Sequence, residues 1–156
     1  MELPKLRQDQ LEIALHPAKT KVLSMGRRWG KTVLGGAICG SALAQHGKVA
    51  WIAPTYKNTR PLWRWLLLAT AEDVKAKRMS VSKSDRIIET KRGGFLGVFS
   101  GDNIDSIRGE SFHLVVIDEA TRIKPRQRRL RRKIRRDAAT GVVRGWHDGQ
   151  RLFREV

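Results

Sequence analysis

Apolar positions along the chain fall into short continuous runs, separated by glycine, proline and charge. Residues 21–24, "KVLS", are short and partly apolar and predict a strand leading into a glycine-rich loop. Residues 31–45, "KTVLGGAICGSALAQ", predict a helix of small residues closed by Gly47. "KVAWIAP", residues 48–54, predicts a buried strand stopped by proline. Residues 58–76 predict a second helix, with Pro61 in its first turn. "DRIIET" and "GFLGVFSG", residues 85–90 and 94–101, flank "KRGG" and predict a hairpin. "FHLVVIDEA", residues 112–120, predicts an apolar strand ending in two acids. Strands that are apolar throughout, in alternation with helices, predict an α/β fold with a mostly parallel sheet flanked by helices. Trp51, Trp63 and Trp65 lie in apolar surroundings and are expected in the core. No internal repeat is visible.

Charge changes the picture. The chain has 156 residues, 40% of them hydrophobic, with a net charge of +17. Its length fits one domain with a sizeable core. Its charge calls for a polyanionic partner, most often nucleic acid. Residues 1–120 carry 19 Lys+Arg against 12 Asp+Glu, and residues 121–156 carry 13 against 3. This shift predicts a domain over residues 1–121 and an Arg-rich tail over 122–156, helical or disordered. The single cysteine, Cys39, cannot form an internal disulfide and reads as a buried thiol in a reducing compartment. No apolar run approaches the ~18 residues of a membrane span. With no signal-peptide pattern at the N-terminus either, a cytoplasmic protein without a membrane partner is expected.

The chemistry lies in "SMGRRWGKT", residues 24–32. A strand, a tight loop, Gly-Lys-Thr and a helix make the context of a phosphate-binding P-loop. Gly30 lets the backbone approach phosphate, Lys31 reaches the β- and γ-phosphates, and Thr32 offers a hydroxyl to Mg²⁺. Met25 stands where the first loop glycine is usual, and Gly26 supplies the flexible turn. Arg28 adds a donor near the phosphates. Arg27 is expected to compensate charge developing on the γ-phosphate. Trp29 packs against the nucleotide site or braces the turn. Asp118 ends the apolar run "LVVI" as a carboxylate for Mg²⁺, and Glu119 follows as a base for the attacking water.

"GRRWGKT" followed by "IRGESFHLVVIDEA" resembles the ATPase domain of phage terminase large subunits, the motors that package viral DNA. The resemblance covers residues 6–121. It implies a P-loop NTPase fold, incomplete at the C-terminal end, that hydrolyses ATP with Mg²⁺ to move double-stranded DNA. It further implies the small terminase subunit and the capsid portal as partners, and leaves self-association open. It gives Gln10, with Gln8 as the second match, the role of a glutamine that contacts adenine, where the residue alone would read as a solvated helix position. It places "APTYKNTR", residues 53–60, near DNA. The tail departs from the family: no Thr-Pro coupling motif and no acidic cluster of a nuclease domain follows, which suggests a truncated chain or out-of-frame codons. Two other readings remain open here. One is a non-catalytic nucleic-acid-binding remnant. The other is a fragment of a superfamily 2 helicase, since residues 118–121 form a DEAx-type box.

Overall fold

The computed structural model describes residues 1–102, 107 and 110–123, and the backbone of residues 142–146. Helix α1 spans Gln8–Leu15 and is followed by β1 (Thr20–Ser24), α2 (Lys31–Ala44), β2 (Lys48–Ala53) and α3 (Tyr56–Lys75). Then come β3 (Met79–Ser82), β4 (Ile87–Thr90), β5 (Phe95–Ser100), β6 (Leu114–Ile117), a short 3-10 turn (Ala120–Arg122) and β7 (Val142–Trp146). The strands form one seven-stranded sheet in the order β1-β7-β6-β2-β5-β4-β3. Neighbours from β1 to β5 are parallel, while β4 and β3 add on antiparallel. This is an α/β fold with a mostly parallel sheet flanked by helices, as the pattern predicts.

The two sides of β2 explain why its sequence is apolar throughout. Val49, Trp51 and Ala53 join the core beneath α2 and α3 with Leu34, Leu43, Leu62 and Leu66. Ala50 and Ile52 point the other way, into a second core with Val115, Ile117, Ile107 and Ile123. A strand buried on both faces cannot alternate with polar residues. Trp51 and Trp63 are buried and Trp65 half-buried, as expected. α2 packs closely on β2 because it is built of small residues. A β-carbon at Gly35 would lie 2.7 Å from the indole of Trp51, which has no room to move. Gly35→Val is therefore expected to cost about 1–3 kcal/mol of stability through overpacking. Urea unfolding of the two chains measures the difference.

Two strands lie outside the expected set. β3 is short and its sequence, "MSVS", is half polar. β7 lies within the stretch read from sequence as a tail, yet it pairs with β1 on one side and β6 on the other. Those five residues belong to the sheet, beyond the expected limit at residue 121. Their sequence, "VVRGW", has the β-branched and aromatic content of a strand, masked by the surrounding arginines. The rest of the stretch, with the arginines of residues 126–136, lies outside the described residues. Among the described residues no helix is long and apolar enough to cross a membrane.

Candidate nucleotide site

β1 ends at Ser24 and α2 begins at Lys31, so the loop is six residues long, 25–30. Gly30 caps α2 in the left-handed region, with φ 96° and ψ 25°. A β-carbon there would meet the Gln10 amide nitrogen at 2.6 Å, so conformation and space both demand glycine. Arg28 is also left-handed, with φ 61°. Successive turns of this kind make a concave backbone nest that suits anions. Lys31 Nζ donates to the carbonyls of Met25 at 2.7 Å and Gly26 at 2.9 Å, so the ammonium bridges back across the loop. Thr32 follows, half-buried, in the first turn of α2. Gly26 is exposed with open space around it. Arg27 and Arg28 are exposed and make no hydrogen bond or ion pair among the described residues.

The outer side of the loop is held by α1. Gln10 is 3% exposed, not solvated. Its Oε1 accepts from the Arg7 N–H at 3.1 Å, and its Nε2 donates to the carbonyls of Trp29 and Gly30 at 3.4 and 3.5 Å. Arg7 donates a further hydrogen bond to the Trp29 carbonyl at 3.0 Å and lies over the Trp29 ring, 5.2 Å from its centroid. Trp29 is half-buried against the larger core cluster. It braces the turn.

The acids stand at the end of β6. The Asp118 N–H donates to the Ile52 carbonyl at 2.8 Å, which ties the strand end to β2. Asp118 Oδ1 accepts from the Glu119 N–H at 3.0 Å. Glu119 is left-handed, with φ 46° and ψ 44°, so the chain turns sharply out of the strand there. Its Oε2 accepts from Asn58 Nδ2 and from the Arg122 guanidinium, both at 3.0 Å. Asn58 in turn accepts from the Thr55 hydroxyl at 2.5 Å. A chain of side chains from the start of α3 thus fixes the Glu119 carboxylate.

β1, β7 and β6 are parallel, so the loop and the acids lie at the same edge of the sheet with one strand between them. Two strand spacings separate them by ~10 Å, room for a polyphosphate. The fold therefore gathers Gln10, Trp29, Gly30 and Lys31 at one loop, and Asp118 and Glu119 opposite. Arg7, Asn58 and Arg122 were not singled out in the sequence. Asn58 sits in the "APTYKNTR" segment, and Arg122 stands three residues after Glu119, one turn on; those are the signals that point to them.

Sheet order and flanking helices define a mixed α/β fold with a mostly parallel sheet. Within it, the fold is the one found in phage large terminase ATPase domains. The ATPase domain of the Thermus phage P74-26 large terminase superposes with a TM-score of 0.75 at 19% identity, over 94% of this chain and 67% of that one. The HK97 bacteriophage large terminase matches with a TM-score of 0.75 at 14% identity, over 92% of this chain. The large terminase of a thermophilic bacteriophage, in complex with ATP-gamma-S, matches with a TM-score of 0.61 at 17% identity, over 89% of this chain. The chain spans 33% of the HK97 protein and 37% of the thermophilic phage protein. No protein-family profile and no curated protein matches the chain.

Proposed function

We propose that this chain binds and hydrolyses ATP with Mg²⁺, as the ATPase part of a phage large terminase that drives double-stranded DNA into a capsid. The observation that carries this reading is the curled Lys31 loop facing the Asp118–Glu119 strand end across a single strand, in a fold shared with terminase ATPase domains. The terminase of the thermophilic bacteriophage was solved with ATP-gamma-S and with ADP, which supports nucleotide binding by this chain.

The residues divide the work by chemistry. Gly30 and the first turn of α2 present N–H groups to phosphate, and Lys31 adds a charge-assisted donor. Arg27 and Arg28, exposed at the loop, supply further positive charge toward the γ-phosphate. Thr32 and Asp118 offer hard oxygen donors that suit Mg²⁺. Mg²⁺ is commonly held by one or two carboxylates and nucleotide phosphates rather than by a protein cage. When bound, the ion neutralises charge on the phosphates. Glu119 orients the attacking water and takes its proton, with Oε2 anchored by Asn58 and Arg122 and Oε1 left for the water. Gln10 belongs to the nucleotide site through the loop that it holds or by contact with adenine. The small terminase subunit, the portal and a place in the host cytoplasm follow from the same reading, which leaves self-association open. ATP hydrolysis by the purified chain, with and without duplex DNA, tests it; failure to bind ATP under either condition sinks it.

Charge density favours a second, compatible activity: duplex binding through the tail. Residues 126–136 hold eight Arg or Lys in eleven positions. Each neutralised phosphate adds about 0.9 to the slope of log affinity against log salt. Replacing four of these cations by glutamine is expected to flatten that slope by about 3 to 4 and leave ATP affinity unchanged. Substitution is the better test than truncation, because cutting away the tail would also remove β7. A salt slope that stays the same would rule the tail out as the DNA contact.

A further inference from the structure

We propose that Arg7, together with Gln10, is a positioning residue for the phosphate loop: by holding the Trp29 carbonyl outward, it aims the Gly30 N–H into the concave side of the loop. This rests on reading the loop as a phosphate cradle and goes beyond it, because it names the device that shapes the cradle.

The argument starts from the peptide bond. The unit joining Trp29 to Gly30 is planar and trans, so its C=O and N–H point in opposite directions. The Trp29 carbonyl accepts from Arg7 at 3.0 Å and from Gln10 at 3.4 Å, both on α1 or at its cap. With the carbonyl drawn toward α1, the Gly30 N–H must face away from α1. It donates to no group among the described residues. A free loop amide next to Lys31 is the kind of donor that a diphosphate uses.

Arg7 is itself held, which makes it a brace rather than a wandering surface cation. Its Nε and one terminal nitrogen donate to Asp9 at 3.1 and 2.9 Å, and the other terminal nitrogen reaches Trp29. The guanidinium lies near the indole of the same residue whose carbonyl it binds. Two contacts to one residue fix both the backbone and the ring of Trp29. The rigid fork of arginine allows this, and the point charge of lysine does not.

The position also separates two roles for α1. If α1 serves the adenine, its loss weakens binding only of ligands that carry the base. If it serves the loop, its loss weakens every ligand that carries the diphosphate. Calorimetry on the full chain with ADP and with inorganic pyrophosphate distinguishes them. Arg7→Gln is expected to weaken both by the same factor, about tenfold for one charge-assisted hydrogen bond, and to shift the emission of Trp29. Arg7→Lys, which keeps the charge but loses the fork, is expected to fall between Arg7→Gln and the native chain. Arg7 is exposed at the surface, and circular dichroism checks that both variants keep the fold. Weakening of ADP alone would overturn the proposal in favour of a base contact. Unchanged affinity for both ligands would overturn it outright. If the native chain binds neither ligand, the cradle reading falls and this inference falls with it.

Discussion

Lys31→Ala is expected to abolish detectable ATP binding while the chain keeps its secondary structure. The ammonium holds the carbonyls of Met25 and Gly26, which are the two residues that open the loop. In the proposed complex it moves its charge onto the β- and γ-phosphates. A charge-assisted contact of this kind is worth about 1.5–3 kcal/mol, so affinity falls roughly tenfold to a hundredfold from that term alone. Loss of the two carbonyl contacts loosens the loop and adds to the effect. Lys31 begins α2 and takes no part in either core cluster, so the sheet survives. Calorimetry with ATP decides the matter. Equal affinity in the two chains would remove Lys31, and with it the cradle, from the functional reading.

Glu119→Gln is expected to leave ATP binding intact and to lower turnover by roughly a hundredfold or more. The substitution keeps the shape and retains one carbonyl oxygen, which can still accept from Asn58 and Arg122. The left-handed backbone at 119 is disturbed no more than by the native side chain. The capacity to take a proton from water is lost, together with the charge paired with Arg122. Steady-state hydrolysis with DNA present, compared at saturating ATP, reads the difference in kcat. A variant that turns over as fast as the native chain would rule out Glu119 as the base.

The parts of the molecule that could be read in advance are those governed by local pattern. β2, β5 and β6 announce themselves by apolar runs, β1 by a partly apolar one, β4 by the hairpin pattern it shares with β5, α2 by a helical run of small residues and α3 by a longer helical run with Pro61 near its start. The loop and the acids stand out in sequence because the chemistry proposed for them constrains neighbouring residues: Gly-Lys-Thr on one side, an apolar run with Asp-Glu on the other. What escaped depends on distant partners. The Asn58–Glu119 hydrogen bond joins residues 61 apart, and nothing in either segment specifies the other. Gln10 looked like a solvated helix residue because its burial is created by a loop 19 residues away. β3 is too short and too polar to stand out, and it exists because β4 offers it an edge to pair with. β7 was hidden by composition, since arginines on both sides swamp five residues of strand character.

The place of β7 sets the order in which this protein can assemble. During synthesis, β1 leaves the ribosome early and β6 well after it, yet neither can pair with the other directly. Thr20 waits for Val142, a partner 122 positions later in the chain (142 − 20). Until residues 142–146 emerge, the nascent sheet stands open beside the strand that leads into the Lys31 loop. Closing a gap over so long a separation is entropically costly and slow. The sheet pairing of the loop strand therefore waits for β7, and the proposed ATP binding is expected to appear only once β7 is in place.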